Sequence, residues 1–155
     1  MFTPMPIRIF RNAALALMVA SLPLSVAAEE FEVLMLNAAP DNAQHTNVFA
    51  PAILRISSGD TVTFVPTDTG HNTASKRGMI PEGAEPWNSP VDVRHSETLT
   101  APGVYGYLCL PHYEMGMVGL IIVDDAAPNL ESAEKIRHPG AARAAFRDLF
   151  DQLAN

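Results

Sequence analysis

The segment Cys109-Leu110-Pro111-His112-Tyr113-Glu114-Met115-Gly116-Met117 gathers a thiol, an imidazole and two thioethers into nine residues. Cys109 and His112 lie three positions apart around Pro111, close enough for both to reach one ion, and Met115 and Met117 follow at the end of the same loop. The loop lacks only a second imidazole. His71, between Gly70 and Asn72 at the end of an earlier apolar run, is the best candidate to supply it from a neighbouring strand. Two imidazoles, one thiolate and one weak thioether form the donor set of an electron-transfer copper site. The soft sulfurs suit the cuprous ion and the imidazoles suit both oxidation states, so a stiff scaffold can hold one geometry for the two.

The elements that must position these donors read as strands. From Glu30 to Asp124, short β-branched and apolar runs alternate with Gly, Pro, Asn and Asp, the pattern of an all-β sandwich or barrel. The runs are 31–36, 53–56, 61–65, 96–100, 104–108 and 118–123. A Ser57-Ser58-Gly59-Asp60 turn joins the second to the third, and Ala101-Pro102-Gly103 joins the fourth to the fifth. The last run is almost continuously apolar, which predicts a central, fully buried strand. Between 70 and 94 the strand signal gives way to a long Gly- and Pro-punctuated loop, a type of segment that often carries function. Beyond Asp125 two helical stretches are expected, one from Pro128 to about Ile136 and one from Ala141 to Leu153. In the second, Ala142, Ala145, Phe146, Leu149, Phe150 and Leu153 make one apolar stripe, suited to packing on the sandwich or, as the sharper alternative, to binding a partner.

The first 28 residues read as an export signal. Arg8 and Arg11 precede an uncharged run that is short for a bilayer span, and Ser25-Val26-Ala27-Ala28 suits cleavage before Glu29. Residues 29–125 then make one domain, with the helices of 126–155 packed on it. Removing that segment takes away two of the 10 basic residues and none of the 17 acidic ones. The exported chain is therefore distinctly acidic, which argues against nucleic acid or an anionic membrane as partner. Cys109 is the only cysteine, so no disulfide forms within the chain, and a lone thiol in an oxidising compartment is either buried or held by a metal.

Taken together, Phe31 to Asn37, Ser58 to Asn72, Gly78 to Glu85 and the Cys109–Met117 loop resemble the cupredoxins, over nearly the whole exported chain. The resemblance implies a Greek-key sandwich of eight strands, here with two C-terminal α-helices, holding one type 1 blue copper per chain. It implies one-electron transport in the periplasm by a monomer that is not an enzyme. The partner it implies is a redox protein docking near His112, often a copper nitrite reductase of denitrification or a c-type cytochrome. Carried over residue by residue, the ligands are His71, Cys109, His112 and Met117, with Met115 left as an apolar contact. Asn37 and Asn72 match positions that brace the ligands, and Pro111 and Tyr113 match the patch around His112.

Two features depart from the family. Its members carry lysines around the copper face, whereas this chain has only Lys76 and Lys135 and places Glu114 inside the ligand loop. The 37–49 segment is also longer, through Asp41 to Thr46. His45, His95 and His138 are read as ordinary surface histidines, and Phe64 and Trp87 as core or loop anchors. A copper-delivery or storage protein is the alternative function, for which the clustering of Met115 with Met117 is the one hint. No second ligand cluster remains to make a copper enzyme.

Overall fold

The structure is a computed structural model that describes residues 27–154. The expected export segment, 1–28, lies outside these residues apart from Ala27 and Ala28.

Eight strands form two four-stranded sheets, and two helices follow. The strands are β1 (Glu30–Ala38), β2 (Thr46–Ala50), β3 (Ile53–Ile56), β4 (Thr61–Pro66), β5 (Ala74–Ser75), β6 (His95–Thr98), β7 (Gly103–Leu108) and β8 (Val118–Val123). One sheet has the order β2-β1-β4-β6 and the other β3-β8-β7-β5. This is the all-β sandwich that the sequence patterns predict. β2 and β5 were not among the runs legible in the sequence. β2 buries only Phe49, and β5 is two residues long, so neither shows a period.

The Gly-Asp turn joins β3 to β4, yet the two strands do not pair. β3 pairs with β8 in one sheet and β4 with β1 and β6 in the other, so the turn carries the chain between layers. Asp60 holds it: its carboxylate accepts from the backbone N–H of Ser57 at 2.7 Å and of Glu29 at 2.8 Å. The 101–103 turn makes a similar crossing from β6 to β7. Two crossings place apolar residues of both sheets face to face, and one core lies between the sheets around Val33, Met35, Phe49, Phe64, Trp87, Tyr105, Tyr107 and Ile121.

Every residue of β7 and β8 is buried, because their sheet is covered on both faces. The outer face is covered by α1 (Leu130–Glu134) and α2 (Ala142–Leu153). The apolar stripe of α2 turns inward: Ala142, Phe146, Leu149 and Phe150 are buried with Val104, Leu108, Val118, Leu120 and Ile122. Packing on the sandwich is therefore the reading of that stripe that holds. Both cores meet the 109–117 loop between β7 and β8.

Candidate metal centre

Three donor atoms converge at the end of the sandwich where β7 gives way to the loop. His71 Nδ1 and His112 Nδ1 are 3.2 Å apart, and Cys109 Sγ lies 3.8 Å from the first and 3.6 Å from the second. A point equidistant from three atoms so spaced lies about 2 Å from each, the length of a metal–imidazole bond. With both nitrogens unprotonated, as metal binding requires, a cation between them offsets the repulsion of two lone pairs 3.2 Å apart. The donor set therefore fits a metal ion.

Local structure explains the convergence. Cys109 N–H donates to the Met117 carbonyl at 3.0 Å and so closes the loop on itself, setting the two sulfur residues side by side. Inside it, His112 N–H donates to the Cys109 carbonyl and Met117 N–H to the His112 carbonyl, both at 3.2 Å, around a 3-10 turn at Tyr113–Met115. Gly116 ends that turn with φ +97°, a left-handed conformation that glycine adopts freely. Met117 is fully buried in the core that also contains Cys109, whereas Met115 is 58 % exposed.

The electrostatics favour metal over proton. His71 is fully buried, and burial followed by the neighbouring His112 lowers its pKa, while Asp68 and Asp92 pull the other way. Its Nε2–H donates to Asn37 Oδ1 at 3.0 Å, which leaves the Nδ1 lone pair directed at the other donors. Burial pushes the Cys109 thiol up, partly offset by the neighbouring backbone N–H groups of Asn72 and His112. A thiol so placed becomes a thiolate when a cation supplies the missing countercharge.

Asn37 and Asn72 both brace the site, as the resemblance implies. Asn72 Oδ1 accepts from Leu110 N–H at 2.8 Å, and its amide donates to the Ser89 carbonyl at 3.0 Å, tying the ligand loop to the 70–94 loop. Sequence reasoning missed Asp92. Its carboxylate accepts from Gly70 N–H at 2.6 Å and His71 N–H at 3.2 Å, and its own N–H donates to the His71 carbonyl at 2.8 Å. A lone carboxylate between two valines carries no motif; only its left-handed φ of +60°, invisible in sequence, marks it.

His138 is not a surface histidine. It is buried, stacked on Phe146 at 4.2 Å, and bonded through Nδ1 to the Tyr113 hydroxyl at 2.8 Å. Burial, helped by Lys76, lowers its pKa to about 4. His95 is half-buried beside Glu97, with 2.6 Å between Nε2 and the carboxylate, and His45 is exposed. Phe64 and Trp87 are core anchors, with the Trp87 indole N–H donating to Thr73 Oγ1 at 3.0 Å.

Known proteins share this fold. Residues 37–124 match the family described as copper binding proteins, plastocyanin/azurin family. Over 91 % of its length the chain is 40 % identical to a pseudoazurin of Methylorubrum extorquens, of which it covers 93 %. It is 42 % identical over 84 % of its length to a pseudoazurin of Paracoccus pantotrophus, of which it covers 87 %. A solved pseudoazurin structure from Sinorhizobium superposes with a TM-score of 0.77 at 46 % identity, over 81 % of this chain and 96 % of that one. The chain belongs to the plastocyanin/azurin family of copper-binding proteins, and within that family to the pseudoazurins. It is a blue-copper electron carrier, with copper as its cofactor and the cupredoxin sandwich with two C-terminal helices as its fold.

Proposed function

We propose that this carrier works in the periplasm, holding one copper ion through His71, Cys109, His112 and Met117 and exchanging single electrons with a protein partner. That partner is a copper nitrite reductase, which would place the chain in denitrification, or a c-type cytochrome. The observation that carries the ligand assignment is the triangle of His71 Nδ1, Cys109 Sγ and His112 Nδ1, with Met117 buried against the same core and Met115 turned to solvent. Copper supplies the one-electron couple between Cu(I) and Cu(II).

The surface around the site supports exchange through His112. His71 and Cys109 are fully buried, His112 is half-buried, and Leu110 and Met115 on either side are 54 % and 58 % exposed. An apolar rim around one edge ligand suits brief docking with a short path for the electron. Three donors with no exposure also favour a retained ion over an exchangeable one, which weighs against delivery or storage. The same closure supports a carrier rather than an enzyme, since catalytic metal sites keep a position open for substrate. Location in the periplasm rests on the composition of residues 1–28. Among the described residues no helix is long and apolar enough to cross a membrane.

Stopped-flow electron exchange with copper nitrite reductase or a c-type cytochrome tests the proposal. A second-order reaction that slows as salt is added is expected for an acidic carrier steered by charge. A salt-independent rate would assign docking to the apolar rim, and no exchange with either partner class would contradict the partner reading. The axial ligand is tested separately. Met117→Gln should retain copper and lower the potential while Met115→Gln leaves it unchanged; the reverse would move the assignment to Met115.

A further inference from the structure

We propose that Tyr113 and His138 act as a positioning pair that sets the placement of His112 from the helical side of the molecule. The inference rests on His112 being a copper ligand.

The two histidines of the site are held in different ways. His71 is fixed through its ring by Asn37 and through its backbone by Asp92. For the His112 ring, no equivalent partner on Nε2 occurs among the described residues, and its position follows from the 3-10 turn that it opens. The next residue, Tyr113, is where that turn is anchored. Its hydroxyl meets His138 Nδ1 at 2.8 Å, and the imidazole lies flat on Phe146 of α2, with rings 4.2 Å apart and inclined by 30°. Tyr113 meets His138 edge-on at 86°, and Lys76 Nζ sits 5.4 Å from the centre of the phenol ring.

The chain just after His138 grips the rest of the turn. Ala141 N–H donates to the Glu114 carbonyl at 2.8 Å. Gly140 approaches so closely that a Cβ there would stand 2.5 Å from the same carbonyl oxygen, and one on Gly116 would stand 3.5 Å from the Ala141 Cβ. Backbone contacts therefore hold Glu114 and Gly116, and the Tyr113–His138 hydrogen bond holds the residue next to His112. A buried imidazole is suited to the task. With its proton-binding range pushed well below neutrality it stays uncharged, so its hydrogen bond with the Tyr113 hydroxyl is not interrupted by protonation near neutral pH. Rotating Tyr113 away would leave that nitrogen buried without a partner, a costly state that keeps the pair together.

Copper-loaded Tyr113→Phe, His138→Phe, the double variant and His138→Gln test the pair, read by reduction potential and visible spectrum alongside thermal stability. Each single removal should move the potential and the absorption band in one direction. The expected size is roughly a threefold to tenfold change in the reduced-to-oxidised ratio at fixed ambient potential, tenfold being 59 mV for one electron. The double variant should move them no further than either single one, since both changes break one link. His138→Gln, whose amide oxygen can accept from Tyr113, should restore most of the wild-type value. Variants with wild-type potential and spectrum but a lowered melting temperature would show a purely structural contact and overturn the proposal, as would shifts that add. Tyr113→Phe removes one oxygen atom and decides the matter even if His138→Phe fails to fold. Failure of the copper reading is a separate result, a wild-type chain that develops no visible band with copper.

Discussion

The β3-β8-β7-β5 sheet has two packed faces, and they are built differently. Its inner face meets the other sheet through large aromatics: Phe49, Phe64, Trp87 and Tyr107 contact one another with ring centres 4.7–6.5 Å apart. On its outer face, small and aliphatic strand residues meet Phe146, Leu149 and Phe150 of α2, with His138 stacked on Phe146. The inner core reaches Cys109 and Met117; the outer core reaches the same loop at Tyr113, Glu114 and Gly116. The ligand loop is thus held from two sides, by sulfur residues sunk in one core and by a polar and backbone clamp from the other. A site that keeps its geometry through a change of oxidation state needs this kind of double constraint.

Removing a donor on the inner side should have the largest effect. Cys109→Ser keeps the shape but loses the thiolate, and the intense visible band of the copper protein should vanish completely while the far-ultraviolet circular dichroism is retained.

On the outer side, acid should be the sharpest probe. His138 has a folded pKa of about 4 against 6.5 in an unfolded chain, so between these values the unfolded state binds the extra proton. Stability is full above pH 6.5 and is lost as pH falls towards 4, by up to about 3 kcal/mol. Tyr113 and Lys76 are the polar groups facing this imidazole, and Lys76 adds to the penalty. Urea denaturation of the metal-free protein at several pH values checks this. His138→Phe should flatten the slope but leave the part due to His71, whose pKa is lowered as well.

The clamp itself can be pushed apart. Gly140→Ala places a methyl group against the Glu114 carbonyl in a left-handed backbone with φ of +50°, and should cost about 2 kcal/mol. Because the displaced atom belongs to the ligand loop, the visible band should shift too. An unshifted band with lost stability would show that the outer clamp does not reach the copper.

The smallest effect is expected deep in the inner core. Tyr107 is fully buried, and its hydroxyl has no hydrogen-bond partner among the described residues. It packs on Gly119, where a Cβ would stand 2.3 Å from the ring, so a residue without a side chain is what fits beside it. Tyr107→Phe removes the unpaired group without changing the packing, and thermal unfolding should show a gain of up to about 1 kcal/mol.

What could be read in the sequence follows from this asymmetry. Cys109, His112, Met115 and Met117 share one short loop, so residue type and spacing mark it as a candidate donor set, and His71 follows because the set lacks one imidazole; the choice of Met117 over Met115 comes from the family resemblance. The β8 run and the α2 stripe are legible because burial on both faces, or on one helical face, leaves an uninterrupted apolar signal. The clamp is not legible. His138 lies between Arg137 and Pro139 in what looks like a polar connection, and its partners Tyr113 and Phe146 are brought to it only by the fold. Asp92 is hidden for the same reason, since it acts on a backbone 21 residues away. The crossing at Gly59-Asp60 resembles a hairpin turn in composition, and only strand pairing shows that it changes sheets.

Copper titration of the metal-free chain, followed in the visible, tests the central claim most directly. One equivalent of Cu(II) should produce an intense thiolate-to-copper band that bleaches on reduction and returns on reoxidation, with no further rise beyond one ion per chain. A protein that binds copper and stays colourless would contradict the assignment of Cys109 and the two histidines as its ligands.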